Sequence, residues 1–124
     1  MHEAFFFGPS NQRIFANYHP AAGGDGQVLT VVCPPLFADY MRTHMALREL
    51  AIGLAENGQH VFRFDYRGTG DSFGELLEVT IADWIEDIAL AVQEGREISG
   101  CKQVRLLGVR AGALLACAAA RASS

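Results

Sequence analysis

What the 124-residue sequence lacks narrows its function before any motif is read. No apolar run approaches the roughly 20 residues of a membrane-spanning helix. Positive charge is not in excess: the formal net charge is −4, so electrostatics offer no case for nucleic acid or an anionic membrane surface as partner. The opening Met1-His2-Glu3-Ala4-Phe5-Phe6-Phe7 has no basic n-region, and its apolar patch is too short for a signal peptide. Cytoplasm is therefore the expected compartment. Cysteine is sparse and odd in number: Cys33, Cys101 and Cys117 show neither Cys-x-x-Cys spacing nor a paired His motif. Reduced thiols are expected and a structural metal site is not. Internal repeats, low-complexity tracts and blocks of like charge are also missing. What remains is 50% hydrophobic and 19% charged, the composition of one packed domain rather than of a disordered chain.

Turn residues and hydrophobic period divide the chain. Ala4 to Phe7 and Arg13 to Tyr18 are aromatic-rich runs split by Gly8-Pro9-Ser10-Asn11, which predicts a hairpin over 4–18. Ala21-Ala22-Gly23-Gly24-Asp25-Gly26 reads as a flexible connection. Val28-Leu29-Thr30-Val31-Val32-Cys33 is short, β-branched and nearly all apolar, as a strand buried on both faces is. Asp39 is the expected cap of a first helix, with Leu47, Leu50, Ala51 and Leu54 on one face and Asn57-Gly58 at its end. Val61 to Asp65 is a second buried strand, running into the glycine-punctuated loop Tyr66 to Gly74. Thr80 with Asp83 resembles a capping box, followed by Ile81, Trp84, Ile85, Ile88 and Val92 at helical period. Gly95 should weaken that helix, and Ser99-Gly100 should end it. Val104 to Leu107 is the third buried strand. Ala111 to Arg121 is a third helix, so apolar on nearly every face that most of it should be buried; Ser123-Ser124 is a polar end. Alternating strands and helices over 28–122 imply βαβ units and a parallel sheet.

Three loops leave the carboxyl ends of the buried strands: Pro34–Tyr40, Tyr66–Gly74 and Gly108–Gly112. Ligands of open α/β sheets bind at such ends. In the last loop, Gly108-Val109-Arg110-Ala111-Gly112 lies between strand and helix, the setting of a Gly-x-Ser-x-Gly nucleophile elbow. Phe64-Asp65-Tyr66-Arg67-Gly68-Thr69-Gly70-Asp71-Ser72 is similar to an Asp-x-Arg-Gly-x-Gly-x-Ser loop. Val31 to Phe37 sits where a His-Gly-x-x segment follows the third strand. On these three segments the chain, over about Val28 to Ala120, resembles the N-terminal half of the α/β-hydrolase fold. It looks closest to the serine-aminopeptidase-like hydrolases, including those associated with exosortase systems. The resemblance implies a three-layer α/β fold, mostly parallel, with an N-terminal antiparallel hairpin. It implies a single partial domain over 1–124 that ends after the elbow helix.

Carried over residue by residue, the nucleophile position is Arg110, whose guanidinium stays protonated and offers no nucleophilic lone pair. The oxyanion donors would be the backbone N–H of Ala111 and one from the Leu36–Phe37 region; Pro34 and Pro35 have none to give. In this fold the acid and the His follow the nucleophile, and the residues after Gly112 include no Asp, Glu or His. Triad catalysis by this chain alone is therefore not expected. Phe37, Arg67, Ser72 and Arg110 are the candidate ligand contacts. Ser72 also reads as a hydroxyl that satisfies backbone groups of a tight turn. His44 and His60 read as surface or half-buried, His2 and His19 carry no motif, and Cys117 reads as a small buried hydrophobe. Cys33 lies at a strand end with no neighbour in sequence to lower its pKa.

Arg110 keeps two readings. One is an ion pair with Asp39, Asp65 or Asp71; the other is an anion site built from its fork and the amides of a helix N-terminus. The functions that follow are a hydrolase relative that now binds or scaffolds, one part of an ester, thioester or peptide hydrolase, and an anion-binding module for a small acyl or anionic ligand. A nucleotide site is disfavoured, because Gly68-Thr69-Gly70 lacks the third glycine of the dinucleotide fingerprint and no Walker-type Lys follows any loop. No metal or organic cofactor is implied. The apolar strand edge at 104–107 predicts self-association or a complementing chain.

Overall fold

The computed structural model describes residues 2–23 and 26–123. Gly24 and Asp25 of the expected connection, and Ser124 of the polar end, lie outside the described residues. β1 (Glu3–Phe7) and β2 (Ile14–His19) form the expected hairpin, with Phe6 opposite Phe15. The Gln12 N–H closes the turn on the Pro9 carbonyl at 2.9 Å. After it come β3 (Val28–Cys33), α1 (Ala38–Glu56), β4 (His60–Phe64), a 3₁₀ turn (Leu76–Glu78), α2 (Ile81–Ser99), β5 (Gln103–Gly108) and α3 (Ala111–Ser123). The sheet order is β1-β2-β4-β3-β5. β2 pairs antiparallel with both β1 and β4, while β3 pairs in parallel with both β4 and β5.

Alternation along the central strands sorts side chains to two faces. Val32 and Val61 face α1, where Leu47, Ala51 and Leu54 cover them. Val31, Cys33, Phe62 and Phe64 face Trp84, Ile88 and Ala91 of α2 and Leu115, Ala116 and Ala119 of α3. Phe5 and Phe7 of β1 add edge-to-face contacts to Phe62, with centroids 6.0 and 5.7 Å away. The result is three layers, with helices on both sides of a mixed sheet.

Several local expectations are met and several are corrected. The capping box is present: Thr80 accepts from the Asp83 N–H, and the Asp83 carboxylate accepts from the Thr80 N–H. Asp39 does not cap α1; it lies inside the first turn, and Phe37 occupies the N-cap at φ 58. Leu50 and Ile81 are exposed, because α1 and α2 each turn a narrower face to the sheet than the apolar pattern suggested. Gly95 is no weak point. It is buried in α2, and a Cβ there would approach Leu29 Cδ2 to 2.6 Å, so the missing side chain lets helix and sheet touch. β5 is half-buried rather than buried on both faces. α3 is buried on one side only: Leu114 is 76% exposed and Cys117 is exposed. The reason is positional. β5 is the last strand in the sheet order, and among the described residues no element covers its outer edge or the outer side of α3.

Polar groups also enter the interior. Arg63 of β4 donates its Nε–H to His19 Nε2 at 3.0 Å. His60 is buried against the Tyr18 hydroxyl at 2.6 Å. Burial first, then the Arg63 charge, lowers the His19 imidazole from 6.5 to about 4. The folded chain thus keeps His19 neutral at pH values where an unfolded chain takes up a proton. This contribution to stability is complete above pH 6.5 and is lost as pH falls towards 4. Urea melts at pH 7 and pH 4.5 should show His19→Gln losing about 2 kcal/mol less than the wild type over that interval.

Candidate functional site

The chain turns to one side of β3 to form β4, then crosses to the other side to form β5. That reversal opens a crevice at the carboxyl ends of β3 and β5, the place where ligands bind in such sheets. One wall is the 34–37 segment and the other is the 109–112 turn.

The 109–112 turn is tight. The Val109 N–H donates to the Cys33 carbonyl at 3.2 Å, extending the β3–β5 ladder by one bond. The chain then reverses at Arg110, φ 53, with N–H groups of Gly112 and Ala113 returning to the Val109 and Arg110 carbonyls at 2.9 Å. A Cβ on Gly112 would collide with the carbonyl oxygens of Cys33 and Pro34, and one on Gly108 with the backbone of Ala113. Both glycines are thus required by backbone-to-backbone approach. A left-handed non-glycine residue held between them is strained in the manner of an active-site turn. Among the described residues only Arg110 and Phe37 combine a side chain with positive φ, and they sit on opposite walls of the same crevice.

Arg110 reaches across that crevice. Its Nη1 lies 3.7 Å from Asp39 Oδ2, and its side chain is 69% exposed. Of the three acids available to it, Asp39 is the partner; at that distance and exposure the pair is weak. Phe37 is 65% exposed, with its ring edge-on to Trp84 at 6.2 Å. Ala111 opens α3, so its N–H has no intrahelical acceptor. Among the described residues the N–H groups of Leu36 and Phe37 also find no backbone acceptor. The Pro34 carbonyl is held by the Tyr66 hydroxyl at 3.0 Å, which anchors the β3 wall from below.

The loop after β4 has a different role. Ser72 donates to the Asp65 carbonyl at 2.6 Å and accepts from the Phe15 N–H at 2.9 Å, tying the loop to β2. Asp65 accepts from the Tyr40 hydroxyl at 2.7 Å and the Asp71 N–H at 3.1 Å. Burial, then that bond to Asp65, pushes the Tyr40 hydroxyl up. Arg67 turns to α2, where its Nη2 lies 2.7 Å from Asp87 and its Nη1 3.3 Å from Asp83. Its backbone N–H also donates to Asp87 at 2.8 Å. Burial raises the Asp87 carboxyl even against those bonds. The structure thus commits the polar atoms of Arg67 and Ser72, both expected beside a ligand, to holding the loop.

Among the described residues no histidine stands at the turn. His19 and His60 are engaged in the sheet, His2 stacks on His19 at 5.0 Å, and His44 lies against the Tyr40 ring at 5.6 Å. Burial pushes the Cys33 thiol up to about 12, which leaves it un-ionised. Among the described residues no cluster of His, Cys, Asp or Glu could hold a metal, and no helix is long and apolar enough to cross a membrane. The Asp87 partner of Arg67 and the Asp65 partner of Tyr40 were not foreseen. Their one signal was a charged residue at a position facing inward on an amphipathic helix or strand end.

The geometry has known counterparts. Residues 40–124 match the family described as serine aminopeptidase, S33. No curated protein matches the chain. Among solved structures, an α/β serine hydrolase homologue from Coxiella burnetii aligns at TM-score 0.75 and 20% identity over 98% of this chain and 56% of its own. A lidless α/β serine hydrolase from Xanthomonas campestris aligns at 0.66 and 21%, over 85% and 49%. A Pyrococcus furiosus esterase aligns at 0.64 and 16%, over 86% and 40%. At these identities the likeness is one of fold, and the chain spans about half the length of these structures.

Proposed function

Because the chain belongs to the serine aminopeptidase S33 family of α/β-hydrolases, we propose that it retains that family's acyl-binding turn and uses it to bind a small acyl carboxylate, without triad hydrolysis by its own residues. The observation that carries this reading is Arg110 in the strained elbow position, φ 53, between two glycines that admit no side chain. A nucleophile there would need a hydroxyl or thiol and an adjacent base. Arg110 supplies neither. It supplies a mostly exposed planar fork, weakly tied to Asp39, beside the first amide of α3. A carboxylate can take two bonds from the fork and one from the Ala111 N–H, displacing Asp39. The Leu36 and Phe37 amides, without backbone acceptors, belong to the other wall, and the exposed Phe37 ring offers an apolar surface to the acyl chain.

Calorimetric titration with butyrate and phenylacetate tests this. Saturable binding that weakens at least about tenfold in Arg110→Ala is expected, with no hydrolysis of p-nitrophenyl butyrate above buffer. Ester hydrolysis abolished by Arg110→Ala but untouched by Ser72→Ala would overturn it.

A second reading rests on a separate observation, the uncovered outer edge of β5 beside the exposed Leu114. Parallel edges of this kind invite pairing. A second copy or a complementing chain that adds a strand there would extend the sheet and supply further residues to the crevice. Sedimentation of a monomer at high concentration, unchanged by candidate partner chains, would remove this reading.

A further inference from the structure

We infer that the cleft between α1 and the β2–β4 pair is a second binding site, for a small organic monocarboxylate gripped by the guanidinium of Arg63. The cleft encloses a cavity of about 230 Å³. It lies where α1 passes over β4 and the adjoining edge of β2. Arg63 and Asn17 are direct cross-strand neighbours, so both project to that side. Tyr40, His44 and Arg48 recur every fourth residue along α1 and form the opposite wall. Of the 34–37 wall only Pro34 lines this cavity, and none of Leu36, Phe37, Arg110 or Ala111 does, so the site does not rest on the acyl-binding reading above.

The argument turns on how Arg63 is satisfied. It is 8% exposed, yet it lines the cavity. Its Nε–H goes to His19, an imidazole kept neutral by burial. Among the described residues it forms no ion pair with a carboxylate. The acid just past its strand, Asp65, turns its oxygens to the Tyr40 hydroxyl and the Asp71 amide. A buried cation whose hydrogen-bond partner is uncharged is costly unless something anionic reaches its free edge. Desolvation and the like charge of Arg48 lower its hold on its proton, and the nearby Asp65 carboxylate offsets them only in part.

The cavity wall also selects the ligand. Arg48 and Arg63 are balanced by Asp65 and Asp71. That near-neutral balance admits a single negative charge and opposes a dianion such as phosphate. The free edge of a guanidinium matches the two oxygens of a carboxylate. Phe15, Val32 and Leu47 supply apolar surface for a short hydrocarbon body.

Titration of the full chain with benzoate, followed by amide NMR shifts, is the test. Saturable shifts at Asn17, His44, Arg48 and Arg63 are expected. Affinity should fall at least about tenfold in Arg63→Gln and be unchanged in Arg110→Ala, while inorganic phosphate should bind at least about tenfold more weakly. Should Arg63→Gln fail to fold by circular dichroism, Leu47→Trp, which fills the cavity from the α1 wall, must abolish the shifts. Shifts that do not saturate, that are confined to residues 36–37 and 110–112, or that survive both variants overturn the inference. So does phosphate binding as tight as benzoate.

Discussion

Replacing Gly112 by alanine should lower the stability of the fold by about 3 kcal/mol or more, a thermal midpoint roughly 10 °C lower in a chain of this size. The added methyl meets two backbone oxygens, those of Cys33 and Pro34. Backbone cannot rotate aside as a flexible side chain can, so β3 and α3 must separate. Separation breaks the Val109–Cys33 bond and the approach that positions the Leu36–Phe37 and Ala111 amides on facing walls. Gly53→Ala is the control. It lies in α1, a Cβ there meets nothing within 4 Å, and alanine should stabilise the helix by up to about 1 kcal/mol. Differential scanning calorimetry of the two variants checks both signs. A Gly112→Ala midpoint within two degrees of wild type would show that the turn is looser than its geometry implies.

Removing the Asp87 carboxylate should be nearly as damaging, by about 3 kcal/mol. Asp87 is fully buried, and it receives the Arg67 backbone N–H at 2.8 Å as well as two guanidinium bonds. Asp87→Ala strands a half-buried cation and a backbone donor together. Asp83 and Glu86 remain near Arg67 but are more exposed and more distant. The double variant Arg67→Met, Asp87→Leu should recover much of the loss, because replacing both charges with apolar groups removes the desolvation cost along with the attraction. The chain's single tryptophan offers a direct readout: Trp84 donates its indole N–H to the Arg67 carbonyl at 3.0 Å. Its emission should shift to the red in Asp87→Ala before global unfolding, as the loop loosens. Urea denaturation by fluorescence and by circular dichroism measures both effects, and coincident wild-type-like transitions in Asp87→Ala would refute them.

The elements, the hairpin turn, the capping box and the elbow were legible in the sequence because each is encoded by residues within one or two turns of one another. Helical period, β-branched runs and the glycines at 108 and 112 act through short-range sterics that hold in any tertiary context. The replacement of a nucleophile by Arg110 needed only the spacing of those glycines. Burial was read less well wherever it depended on what lies beyond the element. Gly95 reads as a weak point of the helix because the pattern of α2 alone does not reveal how closely Leu29 and Phe62 approach. Cys117 and Leu114 looked internal because the composition of α3 does not reveal that β5 is an edge. Pairing was read least well. That Arg110 meets Asp39 rather than Asp65 or Asp71, that Arg67 turns to Asp87, and that Arg63 faces a neutral histidine all follow from strand order and register. Those join residues 20 to 71 positions apart, and no local period carries them. Fold class and the missing hydroxyl at the turn are thus written in short-range pattern, whereas the pairing of charges is set by strand order and register, which bring together residues far apart in the chain.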